Sequence, residues 1–159
     1  MYQTKNDLPE NNRVKIVELL NARLADAIDL QTQMKQAHWN VKGPQFYQLH
    51  QLFDEINEEV EDYVDLIAER AMQLGGASQG TARMVAKAST LPEYPSVSAG
   101  RDHVDAVSTA LASFGKQARA AIHAVDQLND ADTADIFTEI SRGTDKWLWF
   151  VEAHRQAPQ

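Results

Sequence analysis

The chain contains no cysteine. That excludes disulfides, thiolate nucleophiles, and zinc or iron–sulfur sites built on Cys. Any peroxide chemistry here must run without a thiol. Glycine and proline are scarce, seven and five respectively, and they cluster where helices would stop. No apolar run is longer than residues 147–151, far short of the roughly 20 residues that cross a bilayer as a helix. The first residues, MYQTKNDLPENN, hold no apolar stretch of the kind a secretory signal needs, so a cytoplasmic location is expected. Basic charge is also short: 15 Lys and Arg stand against 23 Asp and Glu, a net charge of −8. An acidic chain repels nucleic acid and anionic membrane and attracts cations.

What is present is helical. The length, 159 residues, suits one domain, 1–159, with residues 1–10 as a flexible N-terminal tail and 155–159 as a short C-terminal tail. Val14, Val17, Leu20, Leu24, Ile28 and Met34 repeat at helical spacing and predict a long helix over 11–40. Asp7 and Asn11 are its candidate N-caps. Lys42-Gly43-Pro44 ends it. A second helix runs to Leu74, with Leu49, Leu52, Ile56, Val60, Tyr63 and Ile67 inward, and Gly75-Gly76 stops it. Residues 77–99 carry Gly80, Pro92 and Pro95 and read as a long connection, with a short helix from Thr81 to Lys87. A third long helix spans about 101–128. A fourth spans about 132–154, with Asp132 or Thr133 near its cap. No strand-like alternation of useful length occurs. The expectation is all-α: a ferritin-like four-helix bundle, with short first and last connections and a long crossover that contains a short helix.

The second helix carries two pairs of possible metal ligands, His50 with Asp54 and Asp65 with Glu69, each spaced i,i+4. At about 100° per residue, Asp54, Asp65 and Glu69 lie roughly 40°, 60° and 100° round from His50. The apolar stripe is on the opposite side. At ~1.5 Å per residue the two pairs are about 22 Å apart along the axis. One metal centre cannot span that distance, so if the pairs share a site a second copy of the chain must supply half of it. His38, at the end of the first helix, adds another imidazole. Imidazole and carboxylate together suit Fe(II) or Zn(II). No Glu-x-x-His occurs, which argues against a two-iron centre inside one bundle. Acid and imidazole pairs on a polar helix face are also ordinary solvated surface. His103, His123 and His154 read as surface or partly satisfied residues.

Six strings carry a family resemblance: HWNVKG (38–43), LHQLFDE (49–55), DLIAER (65–70), QLGG (73–76), DTADI (132–136) and DKWLWF (145–150). Together they resemble the Dps family of mini-ferritins over roughly residues 10–155. The resemblance implies a hollow homododecamer with ferroxidase centres between two-fold-related subunits. His38, His50 and Asp54 of one subunit would meet Asp65 and Glu69 of the partner subunit. Iron, Fe(II) oxidised to Fe(III), would be the metal, with Zn(II) as a possible substitute and hydrogen peroxide as the preferred oxidant. Trp39 would be an electron donor beside the centre, or an interface packing residue. Glu55, Glu58, Glu59 and Asp62 form an acidic stripe that would nucleate ferric mineral; the plainer reading is a solvated face. Asp130, Asp135 and Glu139 would ring an iron-entry pore; the plainer reading is acids at the positive end of a helix dipole.

Some members of the family bind DNA through lysine-rich tails, and a DNA-compacting protein associated with the nucleoid is the alternative function. Here residues 1–13 balance Lys5 and Arg13 against Asp7 and Glu10, and the residues after Trp149 offer His154 and Arg155 against Glu152. Phosphate neutralisation needs several cations acting together, so DNA binding is expected to be weak or absent. A His/Asp zinc hydrolase is the remaining class, and no sequence feature marks a substrate pocket for it.

Overall fold

The computed structural model describes residues 1–156; part of the expected C-terminal tail, 157–159, lies outside the described residues. Five helices follow one another: α1 (Glu10–Asn40), α2 (Phe46–Gln73), α3 (Ala82–Ala88), α4 (Gly100–Asp126) and α5 (Ala131–Glu152). The four long ones form the bundle. α1 pairs with α2 and α4 with α5, α1 also packs on α4, and α2 on α5. The crossover lies along α1, with α3 against it. This is the all-α ferritin-like arrangement the sequence predicts.

The core follows from the apolar stripes. Leu20, Leu30 and Met34 of α1, Phe53, Ile56 and Ile67 of α2, Val107 and Phe114 of α4, and Phe137 and Ile140 of α5 are fully enclosed. Each large apolar side chain so buried contributes about 1.5–3 kcal/mol.

Helix ends show where local chemistry decides. α1 starts after Pro9, which suits a first turn because it has no N–H to leave unpaired. Neither Asp7 nor Asn11 caps it, since no side chain accepts there. Gly75, at φ +82°, closes α2, and the Gly76 N–H donates to Ala71 O at 2.9 Å. A Cβ on Gly76 would sit 2.4 Å from Val17, so helix and stop can pack only with glycine. The α4–α5 turn places Asn129 at φ 58°, a conformation Asn tolerates. The α5 cap is Asp130, whose side chain accepts from Thr133 N–H.

The crossover is fastened by polar groups of α1. Asp26, fully buried, accepts from the Thr90 N–H (2.7 Å) and hydroxyl (3.0 Å) and pairs with Arg23 at 2.9 Å. Asp29 accepts from Ser89 (2.5 Å), and Gln33 donates to the Pro92 carbonyl (3.0 Å). At its end the crossover meets the first turn: Lys42 pairs with Ala99 in an isolated parallel bridge. Residues 1–9 also make contact, the Tyr2 N–H donating to Gly75 O at 2.6 Å. Among the described residues, no helix is long and apolar enough to cross a membrane.

Candidate metal centre

α1 and α2 are joined by a tight turn, so the end of α1 lies beside the start of α2. His38 and His50 therefore stack, with ring centroids 3.7 Å apart and planes 19° from parallel. Each ring reaches the other's backbone: His38 Nδ1 lies 2.8 Å from His50 O, and His50 Nδ1 lies 2.8 Å from His38 O. A carbonyl oxygen only accepts, so each Nδ1 must carry a proton. In the neutral ring Nε2 then keeps its lone pair. This backbone tie fixes the tautomer that ligates metal.

Asp54, one turn along α2 from His50, is in reach of the same place. Its Oδ1 is 2.5 Å from Lys35 Nζ and 3.9 Å from His38 Nδ1. The Lys35 hydrogen bond holds the Asp54 carboxyl below its ordinary range, with burial opposing and the charges of His38, Lys35 and His50 assisting. The carboxylate is thus ionised, and Lys35 supplies its counter-charge. A metal cation taking Asp54 must displace that ammonium.

Asp65 and Glu69 are exposed on α2, well along the helix from the histidines. Among the described residues of one chain, no three His, Asp or Glu side chains converge to hold a metal. Trp39 stands beside His38 and is 68% exposed, as are Phe46 (44%) and Tyr47 (68%) on the following turn and start of α2.

The acidic stripe and part of the supposed pore group join. Glu55, Glu58, Glu59 and Asp62 of α2 face Glu139 of α5 across an open cleft of about 820 Å³, which Glu61, Arg142 and Lys146 also line. Carboxylates outnumber the two cations there, so the cleft favours added cations. Tyr63 donates to Glu59 at 2.5 Å. Burial, then that hydrogen bond, then the charges of Glu59, Glu139 and Asp62 push its phenol far up.

Asp130 departs from the sequence expectation. It is 2% exposed and faces inward. Arg70 Nη2 donates to its Oδ1 (2.8 Å), and Thr133 donates its N–H (3.1 Å) and hydroxyl (2.5 Å). The carboxylate is occupied as helix cap and buried counter-ion, so it cannot line a pore. Asp135 and Glu139 remain exposed. Arg70, Lys35 and Tyr94 gave no signal in the sequence: each acquires its partner only when distant helices meet. His103, read as surface or partly satisfied, is the second of these: it is buried at 1% exposure, its Nδ1 paired with the Tyr94 hydroxyl and its Nε2 without a partner.

A bundle of two helical hairpins with a strapped crossover defines the ferritin-like class, and a family model described as "Ferritin-like domain" matches residues 17–158. The chain is 44% identical over 156 residues to a "DNA protection during starvation protein" of Agrobacterium fabrum, covering 98% of this chain and 96% of that one. Its fold matches DpsC from Streptomyces coelicolor with TM-score 0.93 at 30% identity, covering 99% and 92%. It matches Mycobacterium smegmatis Dps equally well, at 0.93 and 28% identity, covering 98% and 95%. The chain belongs to the Dps family.

Proposed function

We propose that this protein is a ferroxidase and iron store, oxidising Fe(II) with hydrogen peroxide at centres shared between two subunits of a hollow dodecamer. The observation that carries the reading is the reciprocal tie of His38 and His50. It leaves two bare Nε2 atoms at the end of one hairpin, beside an ionised Asp54. Neutral imidazole and carboxylate ligate Fe(II) well, and the carboxylates favour the harder Fe(III) product. Asp65 and Glu69 of the partner subunit complete the set. Two Fe(II) ions give one electron each to peroxide, which takes up protons and leaves as water, so no hydroxyl radical is released. Zn(II) fits the same donors and would inhibit.

Ferric product then passes to the cleft of Glu55, Glu58, Glu59, Asp62 and Glu139, where clustered carboxylates lower the cost of gathering cations. Asp135, exposed on the first turns of α5, is the entry carboxylate in this reading; Asp130 has no part. The relatives' name points to DNA protection. We attribute protection to removing iron and peroxide together rather than to binding DNA, because the N-terminal residues are near neutral. A mobility-shift assay at about 150 mM salt, where several cations are needed to hold a duplex, is expected to show free DNA; retention would establish the compacting function instead.

The test of the centre is Fe(II) oxidation followed by absorbance, together with the assembled mass. His38→Ala and Asp65→Ala are each expected to slow oxidation by at least about tenfold, the usual scale for losing a metal ligand's support, while helix content stays unchanged. Unchanged rates in both variants, or a monomeric mass in the active protein, would remove the shared centre.

A further inference from the structure

Tyr94 of the crossover and His103 of α4 form a pair that the proposed iron chemistry does not use. The Tyr94 hydroxyl is 2.7 Å from His103 Nδ1, with the rings 27° from parallel. His103 is enclosed, and the Phe53 ring lies alongside. Its Nε2 is enclosed without a hydrogen-bond partner; burial disfavours the charged ring, while the backbone of Asn40 and Val97 and the charge of Asp102 favour it. The phenol O–H is a stronger donor than an imidazole N–H and has Nδ1 as its partner, so Nδ1 is assigned as the acceptor of the phenol proton and Nε2 as the protonated nitrogen of the neutral ring. Burial keeps the phenol protonated and the imidazole neutral at rest.

A phenol hydrogen-bonded to a neutral imidazole is built to lose an electron and a proton together. Phe at position 94 would fill the space; the hydroxyl and its buried acceptor are extra polar groups whose burial costs free energy unless paired. Tyr94 also opens toward the end of the bundle that carries His38. It lines the same groove as Trp39, the neighbour of His38.

We propose that Tyr94, with His103 as its proton acceptor, is a redox-active tyrosine that intercepts the one-electron oxidant formed when a lone Fe(II), outside the paired two-electron reaction, meets peroxide. The oxidant is of the hydroxyl-radical class. The phenol gives it one electron, reducing it to hydroxide, and passes its proton to His103 Nδ1. The result is a neutral tyrosyl radical and an imidazolium, whose charge the backbone of Asn40 and Val97 stabilises. A further Fe(II) then returns the electron, becoming Fe(III), and the proton moves back to the phenol oxygen. The source of oxidant rests on the ferroxidase reading above; the redox character of the pair does not.

The test separates the two. In the iron-free assembled protein, a flash-generated outer-sphere ruthenium oxidant is expected to produce a tyrosyl radical, seen by transient absorption and by electron paramagnetic resonance. Its formation should slow in deuterium oxide and in His103→Asn. Tyr94→Phe should lose most of the signal. A variant with Tyr2, Tyr47 and Tyr63 all changed to Phe, leaving Tyr94 as the one tyrosine, should retain it. The same radical should appear on rapid freezing after Fe(II) and hydrogen peroxide are added, while Tyr94→Phe oxidises Fe(II) at the normal rate. A signal unchanged in Tyr94→Phe, including one that moves to Tyr63, or absent from the Tyr94-only variant, overturns the proposal. An inactive centre would show itself separately, as a flat Fe(II) oxidation trace in the wild-type protein.

Discussion

At His38 and His50 each Nδ1 is committed to a carbonyl of the other residue, so the tautomer is set by backbone and not by a neighbouring acid. That solution suits a chain whose α1–α2 turn is tight, because the same turn that brings the rings together supplies their acceptors. His103 is held in the opposite way. Its enclosure depresses its pKa from 6.5, the desolvation outweighing the backbone of Asn40 and Val97 and the charge of Asp102. Below that value the unfolded chain binds a proton that the folded chain refuses, so the stability from a neutral His103 is present above about pH 6.5 and lost as pH falls through the lowered folded value. His103→Gln, which cannot titrate, should therefore show a smaller fall in melting temperature between about pH 7.5 and 5 than the wild type. Equal falls in both would mean that His103 does not set the acid limb.

Among the elements, the α5 cap joins two helical hairpins. Arg70, near the end of α2, is buried with Asp130 as its close counter-ion, and Asp130 also starts α5. Removing one member of a buried pair leaves an uncompensated charge, which costs about 3–5 kcal/mol. Asp130→Ala should lose on that order in urea unfolding, whereas Asp130→Asn, which keeps an acceptor for the cap, should lose less. A loss under about 1 kcal/mol would reduce Asp130 to an ordinary cap. Gly143 makes a second contact between these helices: a Cβ there would lie 1.8 Å from the Tyr63 hydroxyl. Gly143→Ala should thus cost about 1–3 kcal/mol by overpacking and disturb the Tyr63–Glu59 bond at the acidic cleft. The α2 stripe was legible because Leu49, Leu52, Ile56, Val60, Tyr63 and Ile67 are all buried and its opposite face is charged. α1 was harder to read. Arg13, Arg23, Asp26 and Gln33 are buried among its apolar residues, since the end of α2, α4 and the crossover lie over them: Arg13 donates to the Leu74 carbonyl, Arg23 to Gln117, and Gln33 to the Pro92 carbonyl, while Asp26 accepts from Thr90. No periodicity announces a polar residue whose hydrogen-bond partner lies on a distant segment of the chain.

For the whole molecule, His50 and Asp54 lie near one end of α2 and Asp65 and Glu69 far along it, so the two halves of the proposed centre cannot meet within one chain. In the proposed two-fold contact, which is self-complementary, each pair of subunits would build two equal centres. Mixing follows from that geometry. His38→Ala and Asp65→Ala subunits are each expected to be slowed alone, but a mixed pair would have one centre with both defects and one with neither. After dissociation and random reassembly at equal amounts, about a quarter of centres should be intact, measured as Fe(II) oxidation returning to that fraction of wild type. Failure to recover any activity, with mixed assemblies shown to form, would mean that both halves must come from one subunit.

Residue spacing by itself determined the four long helices, the lengths of their connections, the stripe bearing His50, Asp54, Asp65 and Glu69, and the bar on a centre inside one chain. These follow from helix pitch and from the transfer of apolar faces out of water, both readable along a line. Tertiary structure alone decided that His38 and His50 lock each other's tautomer, that Lys35 sits on Asp54, that Glu139 opens on the α2 carboxylates, that Asp130 is buried on Arg70, and that Tyr94 reaches His103. Hydrogen bonds and ion pairs act over a few ångströms in space, and only the packed bundle brings residues so distant in sequence that close.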